Sequence, residues 1–398
     1  MTATMADKSG MANIKPSHQK LALFLPSLRG GGAERVMVTL ANGFAERGYA
    51  TDLVLAAAEG PYLKDVSERV RVVDLDAGRV SKALWPLARY LRRERPQALL
   101  AAMNHANVVA VAARLLGRVP CRLVVSEHIT ISMEASRAQG AVAKAVYALV
   151  PWAYRRADAI VAVSREAAAD LERFARLSAG SVRAIYNPFD LERIARLAAQ
   201  PLTHPWFGPG QPPVVLAIGR LTEQKDFPSL IRAFAVVRSR RPARLLLLGE
   251  GELRGELEAL VRTCGLTADD VQMPGFMANP FAYLSRCAVF VLSSRWEGFG
   301  NVLVEALACG APVVSTDCPS GPREILEEGR WGRLVPVGDV AALAGAMVAT
   351  LDEKTHPDAM VRTAEFGVGK AVEHYLKVLS TRCGVEQLRS DRHSRADE

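Results

Sequence analysis

Short apolar runs alternate with amphipathic stretches through most of the chain. The first apolar runs are "KLALFLPSL" at 20–28 and "YATDLVLA" at 49–56, and a helical pattern of polar and apolar positions lies between them. A second series of the same kind begins with "PVVLAIGRL" at 213–221 and includes a helix predicted through "NPFAYLSRCA" at 279–288. Strands that alternate with helices of about 10–15 residues are typical of parallel βαβ units. The pattern therefore predicts an α/β protein with two doubly wound, Rossmann-like domains facing a cleft.

The boundary between the two series is a segment rich in proline. Residues 200–213, "QPLTHPWFGPGQPP", contain five prolines and two glycines, which favours a linker. A chain of 398 residues also suits two domains better than one core. The predicted layout is a disordered lead-in (1–18), an N-terminal Rossmann-like domain (19–199), the linker (200–213), a C-terminal Rossmann-like domain (214–366), a helix (367–383) and a disordered tail (384–398).

Charge and cysteine content narrow the class of protein. The formal net charge is +8 and the pI about 9.3, which favours anionic partners such as nucleic acid, phosphorylated small molecules or an anionic membrane surface. The six cysteines show no C-x-x-C spacing, so we expect reduced thiols in a cytoplasmic protein and no zinc site. The longest uncharged run, 96–113, contains several polar residues and is a poor spanning helix. An integral membrane protein is therefore not expected.

A cluster of glycines marks the first turn from strand to helix. Gly30, Gly31 and Gly32 place backbone N–H groups where they could approach a phosphate at a helix N-terminus. A dinucleotide-binding G-x-G-x-x-G would need a glycine where the chain has Arg35, which disfavours a nicotinamide cofactor. One tight turn would explain one glycine but not three. We expect contact with an anion or another polar ligand here.

Three polar side chains follow predicted strands in the two halves. His128 comes just after "CRLVVSE", at the carboxyl edge where ligands of such sheets bind, although a histidine there is also commonly a structural hydrogen bonder. Arg220 and Lys225 follow Gly219 after the first strand of the second half. Two cations facing a cleft suit a diphosphate, and a solvated loop is the alternative.

The stretch "SSRWEGFGNVLVEALACGAPVV" at 293–314 carries two acids eight positions apart, Glu297 and Glu305. Gly298 and Gly300 free the backbone of the turn, and Asn301 stands near the predicted helix N-cap. Glu305 could simply compensate the helix dipole. That explanation does not account for Glu297 on a glycine turn, so the two acids are expected to bracket a nucleotide sugar.

These motifs together resemble the family-4 retaining glycosyltransferases of the GT-B fold. The resemblance covers about 21–379 and rests on "GGAER", "SEH", "GRLTEQK", "GEGE" and "EGFGNVLVEALACGAPVV", in this order. The wording "STDCPSGPREIL" at 315–326 is similar to bacterial members that assemble polysaccharides or lipid-linked oligosaccharides. The family implies hexosyl or N-acetylhexosaminyl transfer from a nucleotide sugar, UDP-linked more than GDP-linked, with no cofactor and no obligatory metal. It also implies that the N-terminal domain (19–199) is the acceptor side and that the C-terminal domain (214–366) binds the nucleotide sugar. The helix at 369–379 is expected to cross back to the first domain.

The resemblance also implies roles for individual residues. Arg220 and Lys225 would hold the donor diphosphate and stabilise charge on the leaving group, His128 would contact the donor sugar, and Glu297 would bind its hydroxyls. The remaining implied donor contacts are Gly31 and Gly32 near the diphosphate and acceptor, Gly219, the phosphate-binding run Gly298, Phe299, Gly300, Asn301 and Val302, and the ribose-binding Glu305.

The implied acceptor is a glycan, expected on a polyprenyl diphosphate. Residues 81–96 and 143–156 mix Lys and Arg with Trp, Tyr and Leu, as on a face that lies on the inner surface of a membrane. A solvated face over an apolar core is the alternative. Three rival functions stay open: a sugar-nucleotide epimerase of the same fold, a non-catalytic relative that binds nucleotide sugars, and a nucleic-acid binder, which the interspersed acids disfavour.

Overall fold

Residues 19–380 are described by a computed structural model, and they form two parallel β-sheets covered by helices on both faces. The prediction of an α/β chain with two doubly wound sheets is confirmed. The predicted lead-in (1–18) and tail (384–398) lie outside the described residues. Within residues 19–380 no helix has the length and apolar character needed to cross a bilayer.

The strands are β1 Lys20–Leu25, β2 Ala50–Leu55, β3 Val70–Asp74, β4 Ala98–Ala102, β5 Arg122–Glu127, β6 Ala159–Ala162, β7 Val182–Ala184, β8 Val214–Ile218, β9 Arg244–Leu248, β10 Val271–Gly275, β11 Val289–Leu292, β12 Val313–Thr316 and β13 Arg333–Val335. The first sheet has seven strands in the order β3-β2-β1-β4-β5-β6-β7, and the second has six in the order β10-β9-β8-β11-β12-β13.

Most helices connect one parallel strand to the next. They are α1 Gly32–Glu46, α2 Leu84–Glu94, α3 Asn104–Gly117, α4 Ile131–Arg137, α5 Ala141–Tyr154, α6 Arg165–Ala175, α7 Leu191–Ala198, α8 Phe227–Arg240, α9 Arg254–Thr263, α10 Phe281–Leu284, α11 Asn301–Ala308, α12 Pro322–Ile325, α13 Val340–Asp352, α14 Met360–Thr363 and α15 Val368–Ser380.

Each sheet is buried on both faces, which explains why its strands are continuous apolar runs. In the first half, α2, α3, α5 and α6 pack on one face, and α1 and α15 pack on the other. In the second half, α7, α10 and α11 cover one face, and α8, α9 and α13 cover the other. The carboxyl ends of both sets of strands carry the loops that meet between the two halves.

The chain passes between the halves at two neighbouring segments. Phe189 donates a backbone hydrogen bond to Phe366 at 2.8 Å, and Val368 donates one to Phe189 at 3.3 Å. From Val368 the chain continues as α15, which packs against α1 and against β4 and β5. The last helix therefore belongs, by its contacts, to the core of the first half.

Two parts of the second half differ from the predicted layout. Ile194 of α7 and Trp206 are buried in the core of the second half, although 191–198 was assigned to the first domain and 206 to the linker. Both side chains have large apolar surfaces that the packing removes from water. The helix expected through "NPFAYLSRCA" is only the single turn Phe281–Leu284.

Candidate active site

The loop after β11 brings a carboxylate and a cation together. Lys225 Nζ lies 2.6 Å from Glu297 Oε1, and the Ser294 hydroxyl donates to the same carboxylate oxygen at 2.6 Å. The Lys225 side chain is 16% exposed and that of Glu297 only 7%. The two residues are 72 positions apart in sequence, so this pair exists only because β8 and β11 are neighbours in the sheet.

The same loop presses against the first half of the molecule. A Cβ added to Gly298 would lie 2.1 Å from the carbonyl oxygen of His128, closer than any non-bonded contact allows. The Thr130 hydroxyl donates to the Glu297 carbonyl at 2.6 Å, and the Ser164 hydroxyl donates to the Gly298 carbonyl at 3.3 Å. The structure thus brings His128 and Glu297, predicted to share a site, to adjoining loops.

His128 has one satisfied and one unsatisfied ring nitrogen. Nε2 lies 3.1 Å from the Ser126 hydroxyl oxygen, whereas Nδ1 is buried and has no hydrogen-bond partner among residues 19–380. Burial lowers the pKa of His128 to about 4. The imidazole is therefore neutral at neutral pH, and one of its nitrogens is a buried polar atom without a partner in the described chain.

The loop after β8 contributes a second cation. Arg220 is exposed, and its guanidinium makes no hydrogen bond or ion pair with any residue of the described chain. A Cβ on Gly219 would lie 3.1–3.3 Å from three carbons of the Lys225 side chain, so this glycine leaves room for the lysine to reach Glu297. An uncommitted arginine beside a buried Lys–Glu pair can bind an anionic group.

Glu305 is paired with an arginine from the other half. Its Oε1 lies 3.2 Å from an Arg35 guanidinium nitrogen, and Arg35 also donates to the Tyr62 hydroxyl at 2.9 Å. Burial raises the pKa of Glu305, and Arg35 opposes that effect. Arg35 was not predicted to belong to the site, although it ends the "GGAER" stretch, and nothing in the sequence indicates this link between α1 and α11.

The backbone amides of the glycine-rich turn before α1 were expected to contact an anionic or polar ligand, but in the structure they contact a carboxylate of the chain itself. The backbone N–H groups of Gly30 and Gly31 both donate to the Glu34 carboxylate, which reaches back from the first turn of α1. A phosphate at these amides would have to displace that carboxylate. Gly32 has another role, because a Cβ there would lie 3.1 Å from the Asn301 side-chain nitrogen across the cleft.

The run from Gly298 to Val302 forms the turn into α11. Gly300 has φ 93° and is the N-cap residue, and Asn301 is the first residue of the helix, as the sequence indicated. Phe299 is buried and stacks on Tyr186 at 5.6 Å between ring centroids. Only the backbone of Phe299 can therefore contact a ligand, and Val302 packs at the edge of the core.

A cavity of about 480 Å³ opens next to the Arg35–Glu305 contact. Arg35 and Tyr62 line it together with Asp65 and Arg193, whereas Lys225, Glu297 and His128 do not. The cavity is thus separate from the groups that carry the candidate chemistry.

Several residues of the site were not predicted. Ser294, Thr130 and Ser126 are small hydroxyl residues within three positions of a predicted site residue, and that proximity was the available signal. Glu34 follows the capping-box spacing after Gly31. Nothing in the sequence near Tyr375 indicates that its hydroxyl lies 3.1 Å from Ser126.

Both halves of the chain match families of known proteins. A family model described as "Glycosyltransferase Family 4" matches residues 30–193, and one described as "Glycosyl transferases group 1" matches residues 212–353. A Campylobacter jejuni N-acetylgalactosamine-N,N'-diacetylbacillosaminyl-diphospho-undecaprenol 4-alpha-N-acetylgalactosaminyltransferase is 31% identical over 350 residues, covering 84% of this chain and 91% of that protein. The Rhizobium meliloti lipopolysaccharide core biosynthesis glycosyltransferase LpsE is 30% identical over 329 residues, covering 80% and 84%.

Solved structures share the whole architecture. Anabaena HepE in complex with UDP and glucose superposes with a TM-score of 0.74 at 24% identity, over 91% of this chain and all of that one. The apo lipopolysaccharide outer core galactosyltransferase WaaB gives 0.70 at 19% identity, over 91% and 99%. The described chain therefore has the GT-B fold.

Proposed function

The chain belongs to the group 1, family-4 glycosyltransferases, and on this premise we propose that it is a retaining enzyme that moves a sugar from a UDP-sugar to a lipid-linked glycan. The sugar is a hexose or an N-acetylhexosamine. The acceptor is a glycan on a polyprenyl diphosphate, used in bacterial polysaccharide or glycoconjugate synthesis. The Campylobacter relative, whose name contains a diphospho-undecaprenol acceptor, supports this class of acceptor.

The observation that carries the proposal is the Lys225–Glu297 pair next to the loop of His128. In the proposed reaction Lys225 and the exposed Arg220 bind the donor diphosphate and stabilise the negative charge that develops on the leaving nucleotide. Glu297 orients the hydroxyls of the donor sugar. His128 offers its free ring nitrogen to the same sugar from the opposite side of the cleft.

The hydrogen bonds that the Glu297 carboxylate accepts support a retaining mechanism without a covalent intermediate. Glu297 accepts hydrogen bonds from both Lys225 and Ser294, which makes it a poor covalent nucleophile. We therefore propose front-face transfer, in which the acceptor attacks from the side that the nucleotide leaves. The carbonyls of Glu297 and Gly298 stay bonded to Thr130 and Ser164, and so hold the donor loop in place.

The nucleotide is proposed to occupy the N-terminal end of α11. The turn from Gly298 to Val302 offers backbone N–H groups and the positive end of the helix dipole to the phosphates. Glu305 would accept hydrogen bonds from the ribose after exchanging its contact with Arg35. UDP is proposed because HepE, which shares the fold, has been crystallised with UDP and with UDP-glucose.

A basic and aromatic face of the first half is proposed to lie on an anionic membrane. Along α5 the side chains of Val142, Leu149 and Trp152 are exposed at helical spacing, and Trp85 at the start of α2 is 65% exposed. Lysine and arginine residues are exposed on these helices at positions 89, 92, 93 and 144, and next to the helix ends at positions 82, 95, 155 and 156. Such a face would place the cleft near a membrane-bound acceptor.

Thermal unfolding against UDP, GDP, ADP and their sugar conjugates tests the donor site. A ligand that binds the native state raises the melting temperature by mass action. We expect UDP and a UDP-sugar to raise it in the wild type, and Arg220→Ala to lose most of the increase without a change in the ligand-free melting temperature. A folded wild-type protein that responds to none of these nucleotides would overturn the proposal.

A further inference from the structure

Three side chains form a hydrogen-bonded series that ends at His128. The Ser126 hydroxyl oxygen lies 3.1 Å from His128 Nε2 and also 3.1 Å from the Tyr375 hydroxyl oxygen. Ser126 and Tyr375 are both buried. Tyr375 belongs to α15 and reaches this point because α15 packs on β4 and β5. The last helix of the described chain thus touches the group bonded to the proposed sugar-binding histidine.

The direction of the hydrogen bonds follows from counting donors. Burial raises the pKa of Tyr375 to about 12, so its hydroxyl keeps its proton. Among residues 19–380, Ser126 is the hydrogen-bond partner of the Tyr375 hydroxyl. A buried donor without an acceptor is unfavourable. If Tyr375 donates to Ser126 and Ser126 donates to Nε2 of His128, one group of the series is unpaired, the Nδ1–H of His128. The opposite directions leave two groups unpaired, the hydroxyl proton of Tyr375 and the lone pair of Nδ1. We therefore take Tyr375 as the donor to Ser126 and Ser126 as the donor to Nε2. Because Nε2 accepts, the neutral ring carries its proton on Nδ1.

The other end of the series is a buried nitrogen without a hydrogen-bond partner among residues 19–380, Nδ1 of His128. The loop that carries Glu297 lies directly against the backbone of His128. An N–H donor at Nδ1 would therefore be unpaired until a ligand oxygen reaches it.

We propose that Tyr375 and Ser126 are positioning residues that fix the Nδ1-protonated tautomer of His128, so that Nδ1–H donates a hydrogen bond to an oxygen of the bound donor sugar. The sugar contact rests on the proposed function, whereas the tautomer does not. Neither Tyr375 nor Ser126 touches the substrate. Both act through the orientation and proton position of the ring, as the hydroxyl or carboxyl partners of other functional histidines do.

The tautomer can be measured directly. Long-range proton–nitrogen correlation spectra of the full chain with ¹⁵N-labelled histidine distinguish a protonated from an unprotonated ring nitrogen, and His128→Gln identifies the signals of His128. We expect a protonated Nδ1 and an unprotonated Nε2 in the ligand-free wild type. In Ser126→Ala and Tyr375→Phe we expect a shift toward a mixture of tautomers. Ser126→Ala removes the hydroxyl that donates to Nε2, and Tyr375→Phe removes the hydrogen bond that orients this hydroxyl.

Kinetics separate positioning from simple stabilisation. We expect Tyr375→Phe to lower kcat for sugar transfer about 3- to 10-fold, and Ser126→Ala to lower it further, since one oriented hydrogen bond is lost or misdirected. The affinity for UDP alone should change less than about twofold, because UDP lacks the sugar. The matched control is Tyr90→Phe, which removes another buried hydroxyl of the first half, bonded to Asp52 at 2.6 Å. It should leave kcat and the tautomer unchanged.

Two results would overturn the inference. One is a wild-type His128 protonated on Nε2, and the other is a tautomer that stays the same in both Ser126→Ala and Tyr375→Phe. A lower melting temperature in Tyr375→Phe and Tyr90→Phe alike, without a tautomer change, would assign the hydroxyl to stability only. If no sugar is transferred by the wild type but the tautomer is as expected, the proposed function fails and the tautomer assignment stands.

Discussion

At the scale of single residues, Glu127 shows how burial raises the pKa of a carboxyl group beside the site. It precedes His128, is 1% exposed, and accepts a hydrogen bond from the Tyr154 hydroxyl at 2.6 Å. Burial raises its pKa to about 7 from an ordinary 4.5, and the Tyr154 hydrogen bond only partly offsets this. The acid at the end of β5 therefore changes charge near neutral pH, unlike an exposed glutamate.

This pKa predicts a pH dependence of stability. Between pH 4.5 and about 7 the folded protein keeps the Glu127 proton and the unfolded chain has lost it, so the contribution of Glu127 to the unfolding free energy falls as the pH rises. The wild type should lose on the order of 3 kcal/mol relative to Glu127→Gln across this window. Urea unfolding of both proteins between about pH 5 and pH 8 measures the difference. A constant difference across that range would contradict the assignment.

The positions of single candidate residues in the fold were predictable where they follow a strand. His128, Arg220 and Glu297 stand directly after apolar runs, and the carboxyl ends of parallel strands meet at one edge. Their hydrogen-bond partners were not predictable in the same way. The Lys225–Glu297 and Ser126–Tyr375 contacts join residues 72 and 249 positions apart, and depend on strand order and on helix packing.

At the scale of elements, the loop between β11 and α11 is one of the parts of the second half that contact the first. Its close approach depends on Gly298, whose Cα lies against the backbone of His128 and Ile129. A methyl group there would meet the His128 carbonyl oxygen at 2.1 Å. Backbone atoms cannot yield as a flexible side chain does, so the loop itself would have to move.

Gly298→Ala should therefore separate the two halves of the site without unfolding either half. We expect sugar transfer to fall about 100-fold, as for an ångström-scale displacement of catalytic groups, with a more open scattering profile in solution. Gly255→Ala in α9 is the control, because a Cβ there meets no atom within 4 Å. Transfer by Gly298→Ala at the wild-type rate would contradict the proposed closed arrangement.

Most strands and long helices were predictable because each has a clear periodicity, whereas short elements were not. α10 has one turn where the sequence indicated a longer helix, and the turn that follows begins at Ser285. α7 is amphipathic in sequence, but periodicity does not say which core receives Ile194. The contact of the Glu34 carboxylate with the amides of the first glycine turn was not predicted either, because a local capping interaction competes there with the expected ligand.

At the scale of the whole molecule, the exposed aromatic side chains are unevenly placed. Trp85 and Trp152 belong to the first half, where Arg156 lies 4.8 Å from the ring centroid of Trp152. Phe276, which is 77% exposed, belongs to the second half. A membrane attached through the first half would therefore contact the tryptophans and leave Phe276 in water.

Vesicle binding tests this orientation. Wild type should co-sediment with vesicles containing anionic lipids, bind neutral vesicles weakly, and dissociate as salt increases. Replacing both Trp85 and Trp152 by serine should reduce binding about tenfold or more, since two buried aromatic rings are lost. Phe276→Ser serves as the control with an exposed aromatic residue elsewhere. Equal binding by all three proteins, or no binding by the wild type, would contradict the proposed membrane face.

The most direct test of the central claim is sugar transfer from UDP-sugars to a polyprenyl-diphosphate-linked glycan by wild type, Lys225→Ala and Glu297→Gln. The control is Lys370→Ala, which breaks an exposed Lys–Glu pair with the same 2.6 Å separation. We predict that wild type and the control form a product with the anomeric configuration of the donor. Both site variants should fold and transfer at least about 100-fold more slowly. A folded wild type that transfers no sugar, or site variants as active as the control, would contradict the account.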